Sequence, residues 1–190
     1  MGSLDRIVHL LTRPQDEWDS IAREPLDVNH LVKRYILPLS VLAPVATAVG
    51  MKTFDRSWDP VAGYQVPPEA IYSAAATTLF GTILSIFALA AIFKLIAPMY
   101  GSSRDYVAAL KVATFGAVPV LLAGATLLAP VMVIIALVAL CHSLYLYWLG
   151  VARVLHVESG AQAEFVGISM TLLTAVSSLG GAFASRLGLF

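Results

Sequence analysis

Three long stretches of the sequence contain no charged residue, and they constrain the fold more than any other feature. They cover residues 70–93, 112–152 and 165–185. A helix needs about 20 apolar residues to cross the hydrocarbon core of a bilayer, because each residue adds only about 1.5 Å. The first and third stretches can hold one membrane span each, whereas the middle stretch is about twice as long as one span requires. The sequence therefore predicts an all-α, polytopic membrane protein.

The middle stretch is expected to break within residues 123–130, a segment bounded by glycine and proline that favours a tight hairpin. A further span, interrupted by Pro38 and Pro44, is predicted near the N-terminus. The predicted fold is thus a bundle of five transmembrane helices that forms one domain over residues 31–190. The spans are expected at about residues 31–51, 70–97, 106–123, 130–150 and 165–186.

The composition agrees with a membrane protein and excludes other classes. Mean hydropathy is +0.81, and 13% of the residues are charged, against about 25% in soluble domains. Basic and acidic residues balance at 12 each, so the chain lacks the basic excess of a nucleic-acid-binding protein. Cys141 is the one cysteine of the chain, and it cannot form an internal disulfide.

Basic residues are distributed unevenly between the two ends of the predicted spans. Loops on the cytoplasmic side of a membrane carry an excess of lysine and arginine. With the N-terminus in the cytoplasm, the outer segments hold only Lys52, Arg56 and Arg186. This distribution predicts a cytoplasmic N-terminus and a C-terminal Phe190 outside. The inner basic residues are Arg6, Arg13, Arg23, Lys33, Arg34, Lys94, Arg104, Lys111 and Arg153.

Residues 1–30 are predicted to form a cytoplasmic amphipathic segment that does not cross the membrane. Its apolar residues fall at helical spacing, and Pro14 suits the first turn of a second short helix. The segment is expected either to lie in the plane of the lipid headgroups or to pack on the cytoplasmic ends of the spans. The first apolar face consists of Leu4, Ile7, Val8 and Leu11.

The side chains that usually carry catalysis are sparse. No carboxylate lies within a predicted span, which removes the usual proton or cation relay. The four histidines show no metal-ligand spacing. Cys141 and His142 are adjacent in a predicted helix, so their side chains point about 100° apart. We therefore expect no enzyme activity, no cofactor and no metal site.

Lys94, Arg104 and Lys111 flank the predicted turn between the second and third spans. Three cations at similar depth repel one another unless an anion lies among them. One interpretation is a basic pocket for an anionic lipid headgroup. The alternative is that the two lysines only extend to the membrane interface.

Small residues in the fifth span repeat at a spacing of four: Ser177, Gly181 and Ser185. Small side chains let helix backbones approach closely within lipid. This stripe is expected to pack either inside the bundle or between subunits. Near the inner end of the fourth span, Tyr145, Tyr147 and Trp148 are typical of an interfacial aromatic belt.

Three segments carry a resemblance to a known family. The first contains Arg13, Pro14 and Trp18. The second runs from Gly101 to Pro119, and the third runs from Tyr145 to Gly150. In their order and spacing these segments are similar to bacterial members of the Yip (Ypt/Rab-interacting protein) family. The resemblance covers nearly the whole chain.

The resemblance implies five helical spans and a cytoplasmic N-terminus, in agreement with the distribution of basic residues. Eukaryotic members of the family bind Rab-type GTPases and act in vesicle traffic. They have longer cytosolic regions, whereas this chain has only about 34 residues before its first span. It therefore resembles the bacterial branch, which implies the inner membrane. The resemblance implies no catalytic residue.

Two functions are compatible with the sequence. The first is a non-catalytic membrane scaffold or adaptor in membrane organisation or a trafficking-like process. Its partners would be membrane lipids and either a second copy or another membrane protein. The second is a transporter or channel for small solutes or lipids. The absence of an intramembrane acid and of paired inverted repeats favours the first.

Overall fold

The computed structural model describes residues 2–58, 67–102, 104–128 and 132–186. All regular structure in these ranges is helical, as the long apolar runs predict. The α-helices are α1 (Ser3–Thr12), α2 (Pro14–Arg23), α3 (Val28–Leu31), α4 (Leu37–Ser40), α5 (Leu42–Trp58), α6 (Pro68–Ile96), α7 (Tyr106–Gly116), α8 (Val118–Ala123), α9 (Val133–Val154) and α10 (Gln162–Arg186). A π-helix covers Val32–Ile36, and 3₁₀ helices cover Ala97–Tyr100 and Gly124–Leu128.

Four helical stretches are long and apolar enough to cross a membrane. A fifth crossing results if the bent pair α7 and α8, with the 3₁₀ segment that follows, counts as one span. The described residues therefore hold four or five candidate spans, where the sequence predicts five. The four unbroken stretches are Val28–Thr53, Pro68–Tyr100, Val133–Val154 and Gln162–Phe183.

The bend in the candidate third span, α7 with α8, precedes Pro119. The two halves of the crossing meet at 41°, with Ala117 between them. A proline inside a helix cannot donate a backbone hydrogen bond and crowds the carbonyl four residues earlier. The hydroxyl of Ser143 on α9 accepts a hydrogen bond of 3.2 Å from the Val120 N–H. The α-helix then gives way to 3₁₀ helix at Gly124, within the segment where the sequence predicts a break.

The first crossing is irregular for a similar reason. The π-helix lies directly before Pro38, and the N–H of Leu37 bonds to the carbonyl of Val32 five residues earlier. The wider turn of a π-helix accommodates the proline ring within an otherwise continuous helical path. The crossing therefore continues as one helical stretch despite its prolines, as the sequence predicts.

Helix α7 lies in the centre of the fold. Every residue from Ala109 to Gly116 is buried, because α7 packs between α6 and α9. The short helix α2 covers α9, and α3 covers α7. We call the end of the bundle that carries α1 and α2 the capped end.

Helix α10 packs on the bundle only near the capped end. Phe165, Val166 and Ser169 are buried there, against α6 and α9. From residue 174 to residue 183, all side chains are exposed. The two halves of α10 therefore have different environments: the first contacts protein, and the second is open to the surroundings.

Candidate functional site

Trp18 joins three helices at the capped end. It is fully buried, and its indole lies directly against Gly150 of α9. A Cβ atom at position 150 would be 2.6 Å from Trp18 Cη2, which is closer than van der Waals contact allows. The indole also meets the ring of Phe115 on α7 edge-on, with 6.3 Å between centroids. Gly150 therefore provides the space into which α2 docks.

Arg6 fastens α1 to α2 through a buried ion-pair network. Its Nε is 2.9 Å from Glu17 Oε1, and its Nη2 is 2.5 Å from Glu24 Oε2. The guanidinium lies 5.9 Å from the centroid of the Phe115 ring. Burial lowers the pKa of Arg6, but the hydrogen bond to Glu24 and the nearby negative charges outweigh it and raise the pKa above its ordinary value. Arg6 is therefore held in its charged form.

Lys111 of α7 caps the C-terminal end of α2. Its Nζ donates hydrogen bonds to the carbonyl oxygens of Glu24 at 2.6 Å and of Ile21 at 3.2 Å. The last carbonyls of a helix have no partner within the helix and attract a positive charge. Arg153 of α9 forms an ion pair with Asp19 of α2. Two cations from two different helices, α7 and α9, thus hold α2 in place.

The two faces of α1 have different environments. Arg6 and Leu10 face the protein and are buried, whereas Leu4 is 76% exposed and Val8 is 55% exposed. The docking face is thus the side that carries Arg6, because the ion pairs with α2 lie there. Half of the apolar face predicted from the sequence, Leu4 and Val8, points away from the protein, whereas Ile7 packs against the core. Leu11 lies at its edge and lines a groove of about 640 Å³ together with residues of α8 and α9.

Tyr147 of α9 packs closely against Gly116 of α7, as Trp18 does against Gly150. A Cβ atom at Gly116 would overlap the Tyr147 ring, so this glycine lets α9 approach α7. The Tyr147 ring also lies 6.0 Å from that of Phe93. Tyr145 and Trp148 instead lie on the exposed side of α9 with their rings stacked 6.2 Å apart. Their exposure agrees with an aromatic belt, whereas Tyr147 belongs to the core.

The residues of the family resemblance occupy different parts of this arrangement. Trp18 and Gly150 meet directly. Pro14 begins α2, Pro119 lies buried in α8, and Arg13 is exposed between α1 and α2. The first and third segments of the resemblance therefore form one contact, and the second supplies the bend beside it.

The three residues of the predicted lipid pocket have separate environments. Lys94 Nζ lies 5.7 Å from the centroid of the Tyr106 ring. Lys111 is 8% exposed and bonds to α2 as described above, and Arg104 is exposed. The structure gives the two lysines different protein partners. A lipid bound by all three residues stays a prediction.

The predicted small-residue stripe on α10 faces away from the bundle. Ser177 and Gly181 are exposed, and a Cβ atom added at Gly181 would meet nothing within 4 Å. The side chain of Ser185 lies outside the described residues. The described part of the stripe therefore makes no close contact within this chain, and packing between subunits stays a prediction.

The described residues contain no group of three or more histidine, cysteine or acidic side chains that could hold a metal ion. A cavity of about 460 Å³ lies between α6, α8, α9 and α10 and is lined partly by hydroxyl groups. The hydroxyls of Thr78 and Thr82 donate to carbonyls of their own helix, and Ser143 accepts from Val120. These three hydroxyls thus have partners, two within α6 and one between α8 and α9, and Thr77 and Ser85 also line the cavity.

Sequence reasoning did not single out Arg6, Gly116 and the ion pair between Asp19 and Arg153. Arg6 lies 11 and 18 positions before its two carboxylate partners, so no local spacing marks the network. A signal was available only for Gly116. It lies in the middle of a predicted span, where a glycine often marks a close approach of two helices.

The sequence model of one protein family, the Yip1 domain, matches residues 8–181. The match includes Trp18, Gly150 and the bent crossing between them. The chain belongs to the Yip1 domain family. Comparisons with curated proteins and with solved structures give no match. Membership confirms the resemblance to the Yip family, and together with the apolar helices it identifies an integral membrane protein.

Proposed function

We propose that this Yip1-domain protein is a non-catalytic scaffold or adaptor in the bacterial inner membrane. The observation that carries the proposal is the fixed docking of α1 and α2. Trp18 against Gly150, the ion pairs of Arg6 and the hydrogen bonds of Lys111 fasten α1 and α2 to the bundle. A membrane-bound surface held in this way suits the positioning of lipids, a second copy or another membrane protein.

The same charges favour a cytoplasmic location for the capped end. Arg6, Lys94, Lys111 and Arg153 all have their contacts there. Cytoplasmic segments carry an excess of such residues. In this orientation the C-terminal Phe190 is outside, and α1 lies at the level of the inner lipid headgroups.

A transporter or channel for small solutes or lipids is the second candidate, and the cavity of about 460 Å³ favours it. Two of its hydroxyl groups argue against it. The hydroxyls of Thr78 and Thr82 bond within α6, as serine and threonine often do in membrane helices. They offer a passing solute little replacement for water.

Proteoliposomes distinguish the two functions. The wild-type protein is expected not to accelerate efflux of small solutes or movement of a fluorescent phospholipid between leaflets. It is expected to form cross-linked species in native membranes that disappear when α2 is displaced by Gly150→Leu. Gly167→Leu is the matched control, because a Cβ at Gly167 would meet nothing within 4 Å. If the wild-type protein does support flux, and a bulky side chain at Ser85 blocks that flux, the protein is a transporter and the scaffold proposal is wrong.

A further inference from the structure

An open cavity of about 510 Å³ lies where the first crossing begins at the capped end. Asp27, Asn29, His30, Lys33 and Arg34 line it. Lys33 and Arg34 are exposed, and His30 is half-buried. The cavity is therefore polar, accessible from the surface, and bordered by two adjacent cations.

The basic side chains of the capped end differ in what they contact. Arg6 and Arg153 pair with carboxylates, Lys111 bonds to backbone carbonyls, and Lys94 lies over an aromatic ring. Among the described residues, Lys33 and Arg34 take part in no ion pair and no side-chain hydrogen bond. Of these six cations, only Lys33 and Arg34 both lack a polar partner among the described residues and line a cavity.

The local backbone directs the two cations into the same space. His30 precedes Lys33 by three positions and Arg34 by four, and residues at these distances are neighbours on a helix surface. The π-helix over Val32–Ile36 has a wider turn than an α-helix, so consecutive side chains differ less in direction. Lys33 and Arg34 therefore point more nearly the same way than neighbours in an α-helix would.

The acidic residue of the cavity does not neutralise the pair. The Asp27 carboxylate accepts a hydrogen bond of 3.0 Å from the backbone N–H of His30 and so caps α3. One negative charge remains against two positive charges. The lining keeps a net attraction for an anion.

We infer that this cavity binds a phosphate-bearing anion through Lys33 and Arg34. The planar guanidinium of Arg34 can donate two parallel hydrogen bonds to one phosphate, and Lys33 adds a point charge. An anionic phospholipid headgroup and a soluble phosphate ester share this chemistry. The inference is independent of the scaffold proposal, since a transporter could have the same site.

The test uses the full-length protein in nanodiscs of phosphatidylcholine with increasing phosphatidylglycerol, and separately with glycerol 3-phosphate in solution. Lys33→Gln with Arg34→Gln is compared with Arg13→Gln and Arg23→Gln, which removes the same number of exposed charges from the same end. Binding is measured by native mass spectrometry, and thermal unfolding confirms that both variants fold. The first double variant is expected to bind about 25-fold more weakly, and the control is expected to bind like wild type.

The two probes also separate the sources of the phosphate. Competition of glycerol 3-phosphate with phosphatidylglycerol supports a site that reads the phosphate group from either source. Binding of the lipid alone supports a headgroup site. An equal loss in both double variants would show general surface attraction and overturn the inference, as would wild-type protein that binds neither probe.

Discussion

The indole of Trp18 occupies the space that a side chain at position 150 would need, with Cη2 only 2.6 Å from the place of a Cβ atom. These residues are separated by most of the chain and lie on an N-terminal helix and on a membrane crossing. Their contact fixes how α2 lies on the bundle. It also predicts which substitutions detach α2 from the bundle.

Gly150→Ala is expected to destabilise the protein by about 1–3 kcal/mol, because the new methyl group overpacks the indole pocket. Thermal unfolding in detergent measures the loss, and limited trypsin digestion near Arg13 and Arg23 is expected to become faster. Gly167→Ala, which introduces the same methyl group into open space, is expected to leave both measurements unchanged. If the two alanine variants behave alike, Trp18 does not hold α2 in the way described.

Arg6→Met is expected to cost about 3–5 kcal/mol, because the buried carboxylate of Glu17 keeps only the contact with His9 Nδ1 at 3.7 Å. The double variant Arg6→Met with Glu17→Gln removes both charges and is expected to recover part of this loss. Unfolding midpoints of the single and double variants form a double-mutant cycle. Strict additivity in that cycle would mean that the two side chains do not interact.

Lys111→Met is expected to destabilise the protein by about 1–3 kcal/mol, because the carbonyls of Ile21 and Glu24 lose their donor. Lys94→Met removes a lysine whose contact is an aromatic ring, and its expected cost is smaller, about 0.5–1 kcal/mol. Equilibrium unfolding of both variants gives the comparison. A larger loss for Lys94→Met would contradict the capping role of Lys111.

The exposed face of α1 is expected to contact lipid. A nitroxide attached at Leu4→Cys or Val8→Cys, in a Cys141→Ser background, is expected to be accessible to oxygen and shielded from a water-soluble nickel chelate. His9→Cys, at an exposed polar position on another side of the same helix, is the control and is expected to show the opposite preference. Equal access of the nickel chelate to all three positions would place α1 in water.

The orientation of the chain is tested by single cysteines at Ser3 and Thr53, again without Cys141. These positions lie at the start of α1 and at the end of the first candidate span. A membrane-impermeant maleimide applied to intact cells is expected to label position 53 and not position 3. Labelling of both from the same side would refute the proposed topology.

The membrane class and most crossings could be predicted from the sequence, because both depend on local properties. An uncharged run of sufficient length must be helical in lipid, where every backbone group needs an internal partner. Pro14 was equally informative, since a proline restricts the backbone wherever it stands, and α2 begins at this residue. The bend before Pro119 was not predicted, because the sequence placed the break later, within residues 123–130.

The arrangement at the capped end could not be predicted in the same way. Helical periodicity separates the polar side of α1 from its apolar side, but it does not say which side meets the protein. The carboxylates of Glu17 and Glu24 decide this, because a buried Arg6 requires both partners. Lys111 likewise bonds to the end of α2 because tertiary packing brings unpaired carbonyls within its reach.

Sequence alone determined that this chain is a helical membrane protein, because hydrophobic length and proline position act within one segment. Only the tertiary structure decided that Trp18 meets Gly150, that Lys94 and Lys111 have different partners, and that Lys33 and Arg34 border a cavity. Charges and small residues gain their roles from neighbours that are distant in the chain. Those neighbours are set by packing, which no local pattern records.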